Sequence, residues 1–159
     1  MAKTADKYLC ADPWKITEEG FHPDRNEVSE SLFSLANEHH GIRGFFDEGY
    51  SGKSLVGSYL NGIYEERFTE GMAYKGISNR LAFMVNTVNW LYTRIEVDGE
   101  ILDLAKSKFS EFRRELDFRS GELKREFIWE TESGKKLKFV FQRMLSMETK
   151  ELACQQIRI

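Results

Sequence analysis

The sequence predicts an all-β protein of antiparallel strands with at most short helices, and three observations lead there. Aromatic residues make up 13% of the chain, with 12 Phe, 6 Tyr and 3 Trp against only two prolines; flat, bulky side chains favour pleated, half-buried surfaces. The second half alternates apolar and polar residues with a period of two. Turn residues interrupt that alternation where hairpins require them.

The first half is the less regular. Glu30 to Ala36 and Ile42 to Phe46 read as short strands around a turn at Asn37 to Gly41. A loop from Asp47 to Ser54 follows, and Leu55 to Glu65 reads as a further strand. Leu91 to Val97 alternates into Asp98-Gly99, the two positive-φ residues of a type I′ hairpin turn. Folding back about that turn sets Ile95 opposite Leu102 and Arg94 opposite Asp103, an apolar pair on one face and an ion pair on the other. Ala105 to Arg114 fits either a short helix, from its charges, or a strand entry, from Phe109 and Phe112.

Phe112 to Phe118 then leads into a turn at Arg119 to Glu122. Leu123 to Thr131 and Lys136 to Leu145 flank a second turn, Glu132 to Lys135. Leu137, Phe139 and Phe141 form one apolar face, with Ile128 expected to meet Phe139 across the hairpin. Glu151 to Ile159 completes an antiparallel meander. No repeat, low-complexity tract or linker divides the chain, so residues 1–159 read as one domain. The chain stops inside an apparent strand, which leaves an open edge and predicts an incomplete domain that self-associates through exposed apolar edges.

Composition narrows the function classes. Hydrophobic residues are 41% and charged residues 31%, the make-up of a folded globular protein. A net charge of -3 offers no basic surplus for nucleic acid or an anionic membrane. Apolar runs fall far short of the roughly 20 residues of a membrane span. Met1 to Tyr8 is polar, with no apolar stretch to act as a signal peptide. Cys10 and Cys154 therefore read as two reduced thiols and the protein as cytoplasmic.

Candidate chemistry is sparse. Gly52-Lys53-Ser54 imitates the end of a phosphate-binding loop, but the glycine required five residues before Gly52 is Asp47, whose carboxylate would repel phosphate. His39 and His40 are adjacent, so on a strand they point to opposite faces and do not chelate one metal. Histidines in a turn are the favoured reading, and a sugar-contacting histidine is the other. Asp47 and Glu48 are the best-placed carboxylates, but glycosidic chemistry needs two groups about 5–10 Å apart across the scissile bond. Solvated loop charges, or an ion pair with Arg43, explain them better. Glu18-Glu19 and Glu65-Glu66 read as equally bland. Trp14, Trp90 and Trp129 could each stack on a sugar, though a lone Trp more often belongs to the core.

A family resemblance adds what spacing does not. Glu30-Ser31-Leu32-Phe33-Ser34-Leu35-Ala36-Asn37-Glu38, continuing through Gly41-Ile42-Arg43-Gly44 and Asp47-Glu48-Gly49 to Tyr59-Leu60-Asn61-Gly62-Ile63-Tyr64-Glu65, resembles the opening of glycoside hydrolase family 65 proteins. These are the maltose, trehalose, kojibiose and nigerose phosphorylases and their relatives. Val85-Asn86, Asn89-Trp90, Asp98-Gly99, the stretch Leu116-Asp117-x-Arg119-x-Gly121-x-Leu123-x-Arg125, then Arg143 and Ser146 match further landmarks in order, from about Trp14 to the chain end.

The resemblance implies a large two-sheet β-sandwich, a galactose-mutarotase-like super-sandwich, placed ahead of a catalytic (α/α)6 barrel absent from this chain. It implies a parent that cleaves an α-glucosyl disaccharide with inorganic phosphate as co-substrate and inversion, with no other cofactor. The glutamic acid that protonates the leaving oxygen would lie on the barrel, so no residue here inherits a catalytic role and the chain alone is expected to be inactive. Expected partners are its own barrel and a second copy in a homodimer. The loop bearing Arg43, Asp47 and Glu48 is the candidate to face barrel or substrate, against the reading in which these residues fix the turn by pairing with one another. A stand-alone carbohydrate-binding module and the equivalent domain of a related hydrolase are the alternatives.

Overall fold

A computed structural model describes residues 8–68 and 80–159. Of the polar N-terminal stretch Met1 to Tyr8, only Tyr8 lies within them. The chain order is β1 (Leu9–Asp12), β2 (Lys15–Glu19), a 3-10 turn (Pro23–Arg25), α1 (Asn26–Leu32), β3 (Leu35–Ala36), β4 (His40–Ile42), β5 (Ser58–Leu60), β6 (Tyr64–Phe68), β7 (Arg80–Met84), β8 (Glu96–Val97), β9 (Glu100–Ile101), β10 (Lys108–Asp117), β11 (Glu122–Glu130), β12 (Lys136–Leu145) and β13 (Ala153–Arg158). The fold is all-β, with several antiparallel sheets and one short helix.

Six strands form the main sheet in the order β1-β2-β10-β11-β12-β13. The second layer is smaller, comprising the three-stranded sheet β3-β4-β5, α1, the β8-β9 hairpin and irregular chain. Two apolar clusters join the layers. In one, Phe46, Ile95, Leu102 and Leu104 pack on Phe112, Phe127, Trp129, Phe139 and Phe141. In the other, Phe33, Leu35, Ile42, Phe45 and Leu91 pack on Leu116, Leu123 and Leu145.

The meander forms as read, with corrections that have physical causes. Asp98 and Gly99 adopt φ of 54° and 84°, and the Leu102 N–H donates to the Ile95 carbonyl at 3.0 Å, the expected register. Arg94 and Asp103 do not pair. Arg94 binds Glu96 at 2.7 Å, while the Asp103 carboxylate accepts the backbone N–H groups of Ser51 and Ala105. Phe139 faces Phe127, and Ile128 faces Lys138, one residue from the expected pairing. Thr131 and Lys135 close a three-residue loop in which Gly134 has φ of 82°, and this bulged turn shifts the register that a four-residue turn would set.

The ambiguous Ala105 to Arg114 segment ends in strand. Glu111, at φ 55°, sits in a bulge where the β10 register shifts between Ser110 and Arg113. The extra residue brings Phe109 and Phe112 to the same side, so their i, i+3 spacing imitates a helix.

The segment from Glu30 onwards is the larger correction. Glu30 to Leu32 are helical, and β3 spans only Leu35–Ala36. This helix buries its polar side: Asn26, Ser29 and Glu30 are fully buried, whereas Val28 and Leu32 are 49% and 45% exposed. The Glu30 carboxylate accepts from Asn26 Nδ2 at 2.8 Å, Ser54 Oγ at 2.7 Å and the Leu55 N–H. Apolar periodicity does not reveal a helix whose inner face is polar. Ile42 to Phe46 and Leu55 to Glu65 likewise shrink to β4, β5 and the start of β6.

The outer face of the main sheet is a charged grid. Glu115 is bound by Thr17, Arg113 and Lys15, and Glu126 by Lys124 with Lys138 beyond. Burial raises the Glu115 pKa, but the Thr17 hydrogen bond and the nearby cations more than reverse this. The Lys124 contact holds Glu126 down as well. A depressed folded-state pKa stabilises the protein above the unfolded value, and that contribution is lost as pH falls through the folded value. Thermal unfolding midpoints are therefore expected to drop as pH falls below roughly 4, and less so in Glu115→Gln; equal slopes would refute the assignment.

Cys10 and Cys154 are free, exposed thiols on β1 and β13, the two opposite edge strands, so no disulfide joins them.

Candidate functional site

A polar belt crosses the inner face of the main sheet between the two apolar clusters. Each central strand contributes one arginine in the phase of its apolar residues: Arg114 between Phe112 and Leu116, Arg125 between Leu123 and Phe127, Arg143 between Phe141 and Leu145. All three are buried, at 1%, 3% and 5% exposure. Arg114 and Arg125 are direct cross-strand neighbours whose like charges repel, and each has its own carboxylate partner. Glu18 on β2 and Gln155 on β13 extend the belt to five strands, facing Arg114 and Arg143.

The segment Gly44 to Glu48 lies across this belt and is clamped from four adjacent strands. Arg114 Nη1 donates to the Gly44 carbonyl at 3.0 Å, and its Nη2 lies 2.8 Å from Glu18. Arg143 Nη2 donates to the Phe45 carbonyl at 2.5 Å. Arg125 grips Glu48 in bidentate fashion, with Nη1 to Oε1 at 2.6 Å and Nη2 to Oε2, and reaches Asp47 at 3.3 Å. Gln155 Nε2 donates to Asp47 Oδ1 and to the Leu91 carbonyl, both at 2.9 Å. Aromatic rings complete the surroundings, with the Arg125 guanidinium 4.3 Å from the Phe141 ring centroid and 4.4 Å from that of Phe46. Gly44 must be small, because a Cβ there would lie 2.8 Å from the Phe33 carbonyl oxygen.

The electrostatics rank the three arginines. Burial lowers the pKa of each, but for Arg125 the carboxylates of Glu48 and Asp47 reverse the effect and the net shift is upward. Arg114 and Arg143 stay lowered, chiefly by burial and with Arg125 adding repulsion. Arg125 is the best-compensated charge of the belt.

The three site candidates from the sequence therefore separate. Asp47 and Glu48 are neither solvated nor paired with Arg43: they are 2% and 3% exposed and bound to Arg125. Arg43 points away, its Nη1 donating to Ser31 Oγ at 2.7 Å and its N–H to the Gly57 carbonyl. Glu18 is fully buried against Arg114, while Glu65 and Glu66 pair with Arg67 and Arg80 at the surface. In the Gly52-Lys53-Ser54 stretch, the Lys53 carbonyl and the Ser54 hydroxyl bind α1 residues Asn26 and Glu30. Trp129 is fully buried and Trp90 packs at the core margin, whereas Trp14 is 52% exposed beneath Arg119.

Among the described residues, no three His, Cys, Asp or Glu side chains are placed to hold a metal ion, and no helix is long and apolar enough to cross a membrane. With its carboxylates locked to guanidinium groups and closed to solvent, the belt offers neither an accessible acid nor a nucleophile. Its chemistry is mechanical. It fixes one loop to a sheet.

A six-stranded antiparallel sheet with a loop clamped across its inner face defines a layered β-domain. The family described as glycosyl hydrolase family 65, N-terminal domain, matches residues 16–159, and the chain belongs to it. It is 36% identical over 157 residues to an alpha,alpha-trehalose phosphorylase of Thermoanaerobacter brockii, covering 95% of this chain and 20% of that protein. A maltose phosphorylase of Bacillus subtilis is 34% identical over 89% of this chain and 19% of its own length. A solved structure assigned as a kojibiose phosphorylase from the human microbiome superposes with a TM-score of 0.87 at 49% identity, covering 94% of this chain and 20% of that one. The chain thus spans about 20% of the length of the relatives it matches.

Proposed function

We propose that this chain is the non-catalytic N-terminal domain of an inverting α-glucosyl disaccharide phosphorylase, supporting a catalytic (α/α)6 barrel that follows it. The observation that carries the reading is the family match over residues 16–159, on a chain corresponding to 20% of the trehalose phosphorylase. The buried belt supports it, since Asp47 and Glu48 are spent on Arg125 and the acid must come from elsewhere. In the parent, a barrel glutamic acid protonates the leaving oxygen while inorganic phosphate attacks the opposite face of the sugar, taking the place of a second carboxylate and its water. The domain's remaining roles are to brace the barrel and to contribute to a homodimer. Two exposed free thiols fit a reducing, cytoplasmic setting.

The test is phosphate-dependent release of β-glucose 1-phosphate from maltose, trehalose or kojibiose by the polypeptide that carries this domain. Release is expected from that polypeptide and not from the 159-residue chain alone. Phosphate-independent hydrolysis would assign a hydrolase instead, and activity of the chain alone would overturn the accessory role.

A further inference from the structure

One guanidinium of the belt is matched differently from the other two. Arg114 has Glu18, and Arg125 has Glu48 with Asp47, but among the described residues Arg143 makes no direct ion pair. Its Nη2 donates to the Phe45 carbonyl at 2.5 Å, while its Nη1 is buried and meets no hydrogen-bond partner in the protein. A buried donor without an acceptor carries its full desolvation penalty, and a charged one the more so. Folded proteins leave few such groups unsatisfied. Arg143 borders a small cavity of about 10 Å3, shared with Asp47, Gly44, Arg114 and Arg125 and closed by the apolar side chains of Leu123 and Phe141. Every one of these residues is buried.

We infer that this cavity is the binding site of one internal water molecule, which accepts from Arg143 Nη1 and donates to the Asp47 carboxylate. The third ion pair of the belt is thus made through water. Strand β12 then grips the clamped segment twice, directly at Phe45 and through the water at Asp47.

Size, chemistry and charge each select water. A single water needs roughly 10–15 Å3 of such space, and the cavity offers about 10 Å3, so neither a second water nor a polyatomic anion fits. The surrounding groups are of both kinds: Arg143 only donates, whereas Asp47 and the Gly44 carbonyl only accept. Asp47 Oδ1 takes the Gln155 amide and Oδ2 takes Arg125, which leaves each oxygen a further lone pair. The Gly44 carbonyl, bound by Arg114 Nη1, also keeps one. Water accepts from the first kind and donates to the second, while a halide only accepts and would meet a carboxylate wall. The charges are already balanced, Arg114, Arg125 and Arg143 against Glu18, Asp47 and Glu48. Buried Glu30 adds further negative charge within reach of Arg143. An anion would place an uncompensated charge in a closed interior.

The test is a crystal structure of the chain at a resolution that shows ordered water, repeated after a soak in sodium bromide. A peak is expected about 2.5–3.2 Å from both Arg143 Nη1 and an Asp47 oxygen, with no anomalous signal from bromide at that position. In solution, oxygen-17 relaxation dispersion is expected to count one long-lived internal water fewer in Arg143→Met than in wild type. A dry cavity, a peak that does not reach Asp47, a bromide signal there, or an unchanged water count in a folded Arg143→Met would each overturn the assignment. The crystal measurement needs no variant and decides the matter if Arg143→Met does not fold. None of these outcomes depends on phosphorolysis.

Discussion

Arg125→Ala is expected to destabilise the chain by about 3–5 kcal/mol, the scale for removing one partner of a buried ion pair. The reason lies less in what the guanidinium contributes than in what it leaves behind. Glu48, 3% exposed, would face a sheet interior without its donor, and Asp47, 2% exposed, would keep only the neutral Gln155 amide. A typical domain has only about 5–15 kcal/mol of stability, so a large part of the population is expected to unfold in mild denaturant. Urea titration followed by tryptophan fluorescence measures it, since Trp129 is fully buried in the same sheet. Removing charge from both sides, as in Arg125→Met with Glu48→Gln, should recover part of the loss because fewer buried charges remain uncompensated. Arg119→Ala is the control: that guanidinium covers the exposed Trp14 ring at 4.5 Å, and its loss should cost about 1 kcal/mol or less. A similar cost for Arg125→Ala would mean that the belt is not a clamp.

Phe127→Ala should cost a comparable 3–5 kcal/mol by a different mechanism. Its ring, 1% exposed, stacks with Phe139 at 5.8 Å, Phe141 at 5.9 Å and Phe112 at 6.5 Å. Truncation leaves a cavity lined by rings that strands on either side hold apart. Phe127→Leu should recover much of the loss. The ratio of the two urea midpoints to wild type is expected to depend little on salt, because the loss is chiefly one of apolar packing and the one charge over the ring, the Arg125 guanidinium at 5.4 Å, is buried. Phe118→Ala, at a 54% exposed position on the β10–β11 turn, should stay within about 0.5 kcal/mol of wild type. If both phenylalanines behave alike, the apolar cluster does not carry the sheet.

How much of this was legible in the sequence depends on which rule each element obeys. The β10 to β13 meander follows period two, and glycine-bearing turns mark both ends of β11, so β11 and β12 emerge within a residue of their observed bounds. By contrast, β10 begins four residues before the expected Phe112, because a bulge interrupts its alternation. The misplaced pair, Ile128 with Phe139, came from counting a turn one residue differently, and a one-residue slip is all that separates two registers. The α1 helix was missed because Asn26, Ser29 and Glu30 are the residues it buries. Charge ordinarily marks a solvent face, and here it marks the interior.

The belt was missed for the same reason, though it left a trace. Arg114, Arg125 and Arg143 each occupy the apolar phase of a strand, between residues that are plainly core. A charged residue in that phase predicts a buried partner, and three on successive strands predict a line of them. The partner carboxylates sit on a loop and on β2, at sequence distances of 77 residues for Glu48 and 96 for Glu18. No local pattern encodes such pairings. Family resemblance marked Arg125 and Arg143 as landmarks, but only the fold shows what they hold.

The placement of Cys10 and Cys154 has a practical consequence. They lie on opposite edges of a six-stranded sheet, and five interstrand steps of about 4.8 Å put them roughly 24 Å apart. That separation suits both energy transfer between dyes and dipolar coupling between spin labels. The chain therefore carries a built-in molecular ruler across the full width of its sheet, needing no engineered attachment points. Any partner that splays, adds to or peels away an edge strand can be followed as a change in one distance.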